Sequence, residues 1–463
     1  MDILLTHGYF LRDDPAEQRV MKPYPPLGIL YLSAYLKEKG FDVEVFDSTF
    51  SSIKAFHSAI EQRRPPIVGI YVNLMTKLNV LKLITFCKSQ GSIVLVGGPE
   101  VPYHAEQFLL HGADVAVLGE AEHTLSELVP HLLRSGCKEM TRIAGIAYRD
   151  AAGGFVQTDA RQLVPDLDSL PDPDRGAINV RQYIDTWRTH HGRGSVSLIC
   201  ARGCPFTCTW CSRSVFGETH RRRSVRRVVD EIEFLLNEYT PDQLWFCDDV
   251  FTINHKWFYE FYAEMKKREL AIPFECISRA DRLNDDILGK MAELGAFRIW
   301  YGSESGSQRI LDAMERRVTT EKIRSVTKSA QRFGIEAGLF VMLGYPGERV
   351  EDIDATIQHL KETNPDTYLT TVAYPIKGTT MYHQLEDTLI NDGPWGSSTD
   401  RGINFKGRYS RQFYWFATRH MVNEVLHHRL SQNGNASFAA KTISYAKSKI
   451  ARLGMSLTQH VRS

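Results

Sequence analysis

Cys204, Cys208 and Cys211 lie within the stretch Arg202-Gly203-Cys204-Pro205-Phe206-Thr207-Cys208-Thr209-Trp210-Cys211, a CxxxCxxC spacing with an aromatic just before the last cysteine. A four-cysteine zinc site built here needs a fourth ligand from elsewhere in the chain. Three thiolates match three irons of a [4Fe–4S] cluster and leave the fourth iron open to another ligand. A structural zinc knuckle and free thiols are the plainer readings, and the spacing favours the cluster. Cys200 stands four residues before the triplet and ends the apolar run Val196-Ser197-Leu198-Ile199, so it reads as a buried strand residue. Cys87, Cys137, Cys247 and Cys276 are scattered, mostly in apolar runs, where cysteine acts as a small core hydrophobe.

The chain that must position this triplet has 463 residues, enough for two or three domains. Hydrophobic residues make up 43% and charged residues 24%, the balance of a globular protein. A net charge of +1 gives no overall electrostatic case for nucleic acid or an anionic membrane. No run of ~18 apolar residues is present. The start Met1-Asp2-Ile3-Leu4-Leu5 lacks a basic leader, so a cytoplasmic protein without an integral membrane segment is expected.

Residues 1–140 alternate short apolar strands with amphipathic helices, the pattern of a doubly wound parallel sheet. Strands are predicted at Asp2–Thr6, Asp42–Phe46, Ile67–Val72, Ile93–Val96 and Val115–Leu118, and helices at Leu27–Lys39, Leu78–Ser89 and Glu122–Leu133. Ligands of such sheets bind beyond the carboxyl ends of the strands. Asn73, then Gly97-Gly98-Pro99-Glu100, then Gly119-Glu120-Ala121-Glu122 fall at those ends. Residues 141–194 read as a hairpin followed by a Pro- and Asp-rich linker. From 195 to 385 strands and helices alternate again, with strands predicted at Val196–Cys200, Gln243–Cys247, Phe274–Ser278, Arg298–Gly302, Ala337–Leu343 and Thr367–Val372. Residues 386–463 form a mostly helical segment, aromatic over Tyr409–Leu430 and at most a basic, frayed helix from Gln432. Arg221-Arg222-Arg223 reads as the solvated start of the helix predicted over Val228–Asn237.

Polar residues cluster after the strands of the second half, where barrel folds place their sites. Asp248 and Asp249 follow its second strand and suit either an ammonium ligand or a helix cap. Arg279 follows the third and suits a carboxylate, or an ion pair with Asp281. Glu304 lies in Gly302-Ser303-Glu304-Ser305-Gly306 after the fourth, and Gly344-Tyr345-Pro346-Gly347-Glu348 follows the fifth.

The triplet resembles that of the radical S-adenosylmethionine (SAM) superfamily. Together with Pro25-Pro26-Leu27-Gly28 and the two glycine loops, the chain resembles the radical SAM enzymes that carry a cobalamin (B12)-binding domain. The resemblance spans about residues 1–385. It departs from the family loops at Glu100 and Ala121, and the Asp-x-His-x-x-Gly motif of other cobalamin proteins is absent. The resemblance implies a [4Fe–4S] cluster on Cys204, Cys208 and Cys211. It implies SAM near Trp210, Asp248, Asp249, Arg279, Glu304, Gly344 and Tyr345, with Glu304 on the ribose hydroxyls. It implies cobalamin near Pro26, Gly28, Asn73, Gly97, Gly98, Pro99, Glu100, Gly119 and Glu120. The implied fold is α/β: a Rossmann-like cobalamin domain, a partial (β/α)6 barrel, and a small helical C-terminal segment.

The function so implied is methyl transfer from SAM, by way of methylcobalamin, to an unactivated carbon of a small molecule. An external electron donor such as flavodoxin or ferredoxin would serve the cluster. The rival keeps the cofactors and replaces methyl transfer by oxidative cyclisation or rearrangement, as in the anaerobic magnesium-protoporphyrin ester cyclase. A tRNA methylthiotransferase would want further N-terminal cysteines, and a SAM or cobalamin sensor would want an appended signalling module. Neither is evident, and no lysine–aromatic interleaving suggests RNA.

Overall fold

The computed structural model describes residues 1–390 and 393–460. The chain divides into two compact units, one of Met1–Pro205, Ser212–Cys247 and Gly393–Thr399, the other of Phe206–Cys211, Asp248–Asp392 and Asp400–Ser463.

The first unit is built on a seven-stranded sheet of β1 (Ile3–His7), β2 (Val43–Phe46), β3 (Ile67–Tyr71), β4 (Ile93–Gly97), β5 (Val115–Val117), β6 (Ile146–Arg149) and β7 (Phe155–Gln157), in the order 2-1-3-4-5-6-7. Pairings from β2 to β5 are parallel; β6 and β7 add the expected hairpin antiparallel at the edge. Strands 1 and 5 are wholly buried and 3 and 4 mostly so, which is why they read as continuous apolar runs. The order reverses between β1 and β3, the switch point at which doubly wound sheets open a crevice. Helix Leu27–Glu38 ends where Gly40 turns at φ +87°, as the sequence predicts. The linker holds a helix the sequence reading does not assign, Val180–His191, capped by Asn179 and burying Val180, Tyr183, Ile184 and Trp187 at helical spacing.

The same unit carries β8 (Ser195–Leu198) and, after the short antiparallel partners β9 (Ala201–Arg202) and β10 (Arg221–Arg222), β11 (Gln243–Phe246), parallel to β8. The second unit continues the alternation with four parallel strands, β12 (Phe274–Ser278), β13 (Ala296–Glu304), β14 (Glu336–Leu343) and β15 (Thr367–Val372). All six strands predicted for this half are present, two of them with the predicted bounds.

The C-terminal segment is more ordered than its sequence suggests. Helix Arg411–Gln432 is followed by a 21-residue helix, Phe438–Thr458, which buries Ser444, Ser448, Ala451, Gly454 and Met455. This small-residue stripe lets the helices approach closely: Gly454 faces the Phe416 ring, and Ser448 bonds both His420 and Glu424. No described helix is long and apolar enough to cross a membrane.

Arg221–Arg223 corrects the sequence reading. Arg223 is 4% exposed, its charge satisfied by Glu231 and by Asp172 at 2.7 Å. Arg221 reaches Glu120 at 2.7 Å. The run is the start of an internal ion-pair network, because the strand it opens is pulled back against β9.

Candidate active site

The cysteine triplet occupies the loop whose base is closed by the β9–β10 pairing, Arg202 opposite Arg221 and Ala201 opposite Arg222. Cys204 is half-buried, Cys208 buried and Cys211 exposed, while Cys200 is fully buried as expected. The Cys211 N–H donates to the Cys208 carbonyl at 3.1 Å, a tight turn that brings the second and third cysteines together. Thr209, between them, is held on three sides: its N–H donates to Met314 O at 3.2 Å, its carbonyl accepts from Met381 N–H at 2.8 Å, and its hydroxyl meets the Tyr345 hydroxyl at 2.6 Å. Trp210 packs on the cluster of Ile310, Met314, Met342, Tyr345, Ala373 and Met381. The loop is therefore fixed by backbone and apolar contacts.

Two guanidinium groups point at Cys208. Arg279 Nη1 lies 3.8 Å and Arg316 Nη1 3.9 Å from its sulfur. Arg279 also donates to Asp281 at 2.8 Å and to the Arg316 carbonyl at 2.8 Å, and it lies 3.7 Å over the Phe206 ring. Its guanidinium is thus anchored within the protein, Nε on Asp281 and Nη2 on the Arg316 carbonyl. The pair of arginines places positive charge beside the Cys208 sulfur. That donor set fits an iron–sulfur cluster: three sulfurs, compensating cations, and no fourth cysteine in the loop.

Glu304 ends β13 at a register shift between Gly302 and Glu304, with φ +54°. A left-handed non-glycine residue held in a buried bulge is a local strain that surrounding contacts must maintain. Its carboxyl folds back over Gly302, which leaves no room for a side chain there, and sits 3.8 Å from Arg316 Nε. Burial pushes its acid up to about 7, with Arg316 and Arg279 opposing. Asp248 is buried and Asp249 exposed. After β14, Gly344 turns at φ +79° and donates its N–H to Glu348 Oε2 at 2.6 Å. Burial pushes the Glu348 acid up to about 8.

These two carboxyls set an expected pH dependence. Between pH 6.5 and 8.5 the unfolded chain has already released both protons, whereas the folded chain releases them only within this window. Stability therefore falls as pH rises, by roughly 2 kcal/mol for Glu348 and roughly 1 kcal/mol for Glu304. Burial also lowers His359, to about 4, but that group acts below its unfolded value and outside this window. Urea titrations of the apoprotein at the two pH values, with Glu348→Gln losing most of the decline, check this.

In the first unit the residues expected to meet cobalamin gather at strand ends. Asn73 follows β3 and closes the turn ahead of the next helix, its side-chain oxygen accepting from the Met75 and Thr76 N–H groups; Gly97 ends β4. Gly98 adopts φ +112°, and a side-chain carbon there would sit 2.5 Å from Val72 O and 2.9 Å from the Tyr71 ring. Gly98→Ala is expected to cost about 2 kcal/mol and to lower corrinoid retention, checked by denaturation and by the absorbance of the purified protein. Pro99 O accepts from Ser214 Oγ at 2.8 Å. Pro26 caps helix Leu27–Glu38, and a side chain at Gly28 would meet nothing within 4 Å, so no protein atom requires a glycine there. Gly119 turns at φ +77°. Glycine-lined loops at the carboxyl ends of the strands fit a large flat ligand. Glu120 is different: its carboxylate takes Arg202, Arg221 and the Val164 N–H, so it braces the loop. Glu100 is buried at the start of the next helix. His7, at the end of β1, has both ring nitrogens engaged, Nε2 with Asp47 at 3.1 Å and Nδ1 with Ser48 at 2.9 Å.

Comparison with known proteins decides what this pairing of sites is. The sequence matches the B12 binding domain over residues 19–129 and the Radical SAM superfamily over residues 198–360. It is 31% identical to an uncharacterised methyltransferase of Pyrococcus horikoshii, over 81% of this chain and 82% of that one. The chain is a cobalamin-dependent radical SAM enzyme. It is also 27% identical to the anaerobic magnesium-protoporphyrin IX monomethyl ester cyclase of Rubrivivax gelatinosus, over 79% of this chain and 67% of that one. The fold is that of the cobalamin-dependent radical SAM enzyme OxsB solved with aqua-cobalamin, at a TM-score of 0.74 and 19% identity, over 99% of this chain and 72% of that one. The cofactors of this radical SAM enzyme are a [4Fe–4S] cluster, SAM and cobalamin.

Arg316, Thr209 and Glu348 lie against the candidate site residues without having been singled out in the sequence. Glu348 ends the quoted glycine stretch after β14 and was within reach. Arg316 sits in the charged run Glu315-Arg316-Arg317, which looks like solvated loop until the fold turns one arginine inward.

Proposed function

We propose that the enzyme is a methyltransferase that delivers a SAM-derived methyl group, through cobalamin, to an unactivated carbon of a small molecule. The observation that carries this reading is the likeness to the Pyrococcus horikoshii methyltransferase over four-fifths of both chains. When bound, the cluster with SAM supplies a 5′-deoxyadenosyl radical for hydrogen abstraction, and cobalamin supplies the methyl group. The chain's own task is to hold and shield these reagents. Cys204, Cys208 and Cys211 ligate three irons, with Arg279 and Arg316 compensating charge beside Cys208. Glu304 accepts hydrogen bonds from the SAM ribose, a contact that would draw its proton off. Asp248 or Asp249 meets the SAM ammonium, and Trp210, Gly344 and Tyr345 flank the adenine. Pro26, Gly28, Asn73, Gly97, Gly98, Pro99 and Gly119 cradle the corrin, with Glu100 and Glu120 shaping its loops. A cytoplasmic setting and a one-electron donor such as flavodoxin or ferredoxin complete the reading.

The test uses anaerobically reconstituted enzyme with strong reductant and SAM, without substrate. Equal amounts of S-adenosylhomocysteine and methylated corrinoid support methyl transfer. Formation of 5′-deoxyadenosine alone, with corrinoid bound but never methylated, overturns it. That outcome favours cyclisation or rearrangement, the reading that the Rubrivivax gelatinosus relative supports.

A further inference from the structure

A cavity of about 400 Å³ opens beside the end of β15, lined by Val372, Ala373 and Tyr374 together with Tyr414 from helix Arg411–Gln432. Its charge is one-sided. Arg401, Arg408, Arg411 and Arg419 line it, and among the described residues no acidic one does. Arg401, Arg411 and Arg419 are exposed, so water solvates them. Arg411 donates to Gly402 O at 2.6 Å, and Arg419 lies 3.3 Å over the Trp415 ring.

Arg408 is the exception, because it is 8% exposed. Its Nε and Nη2 are buried without an acceptor, and Nη1 has the Asn404 side-chain oxygen only at 3.4 Å. The side chain of Tyr414 also hydrogen-bonds it, and its guanidinium carbon lies 4.7 Å from the Tyr414 ring centroid and 5.0 Å from that of Phe405. A buried guanidinium whose Nε and Nη2 have no acceptor loses part of its hydration without equivalent return. The acid that acts on it electrostatically is Glu348. Glu348 commits Oε2 to Gly344, and with its acid pushed up to about 8 it is largely neutral near neutral pH.

The position also matters. Ala373 N–H donates to Leu343 O at 2.8 Å, which ties the cavity wall to the carboxyl ends of β14 and β15. Gly344, the next residue of β14's loop, presses on Arg408 so closely that a side-chain carbon there would collide with Nη2. Barrel folds place substrate at these strand ends.

We propose that this cavity binds an oxyanion, a carboxylate or phosphate carried by the small-molecule substrate, with Arg408 as the buried anchor and Arg401 as an exposed outer contact. The proposal rests on the reading of the enzyme as acting on a small molecule. A planar guanidinium matches two oxygens of such a group, which would supply the acceptors Arg408 lacks. The carboxylate of SAM offers the same chemistry, so the test must separate the two sources.

The experiment is calorimetric titration of the cofactor-loaded enzyme with inorganic pyrophosphate, with and without saturating SAM, alongside titration with SAM itself. Pyrophosphate is expected to bind whether or not SAM is present. Arg408→Met should weaken it at least tenfold and leave SAM affinity unchanged. Arg401→Gln, a change at an exposed side chain that folding tolerates, should weaken it two- to threefold. Pyrophosphate binding that is absent, or indifferent to both substitutions, overturns the proposal. Loss of SAM affinity in Arg408→Met, with pyrophosphate displaced by SAM, also overturns it and assigns the guanidinium to the SAM carboxylate. An enzyme that never methylates its corrinoid yet binds pyrophosphate through Arg408 keeps the anion site and loses only the methyltransferase reading.

Discussion

Cys208→Ala is expected to abolish the [4Fe–4S] absorbance of the reconstituted enzyme and to lower 5′-deoxyadenosine formation at least ~10³-fold, because one iron loses its only protein ligand. The buried setting sharpens the effect. Alanine removes the sulfur toward which Arg279 and Arg316 point at 3.8 and 3.9 Å, and the small cavity it leaves holds two guanidinium groups with less to balance them. The discriminating control is Cys200→Ala. Cys200 lies four residues upstream in sequence, is fully buried, and should leave iron content and SAM cleavage unchanged. Iron and sulfide analysis of both variants checks this. A cluster that survives Cys208→Ala and is lost in Cys200→Ala would reassign the ligands.

The cysteine spacing was legible because ligand geometry is local: thiolates a few residues apart meet without help from the rest of the fold. The strands were legible for a related reason. Parallel strands covered on both faces must be apolar throughout, so β3 and β14 announce themselves as short hydrophobic runs between glycine loops. What the sequence obscured was the fate of its arginines. Arg221–Arg223 has the composition of a solvated run, and only the β9–β10 pairing, which has no pattern of its own, turns it inward. Arg279 follows its strand as a ligand-binding residue would, yet Asp281, Arg316 and Cys208 absorb it. The 21-residue helix Phe438–Thr458 was hidden for the opposite reason. It packs through serine, alanine and glycine, whose burial leaves no hydrophobic stripe to read on that face.

The second large effect falls on one of those arginine networks. Glu231 is buried with Arg175 at 2.6 Å on one oxygen and Arg223 on the other. Arg175 also donates to Ser197 O at 2.8 Å in β8, and Arg223 to Ile199 O at 3.1 Å and Asp172 at 2.7 Å. The carboxylate therefore joins the linker, the strand leading to the cysteine loop, and helix Val225–Tyr239. Burial alone would raise its acid, but the two guanidinium groups hold it below the ordinary range, so it is ionised throughout the stable pH range. Glu231→Leu strands two buried cations, and it is expected to cost about 3–5 kcal/mol in denaturant titrations at neutral pH. The cost should belong to the uncompensated charges rather than to the lost pair. Adding Arg175→Met and Arg223→Met to Glu231→Leu removes those charges while keeping much of the volume, and should recover most of the loss. A triple variant as unstable as Glu231→Leu would show that the hydrogen bonds to Ser197, Ile199 and Asp172, and not the charge balance, hold this part of the fold together.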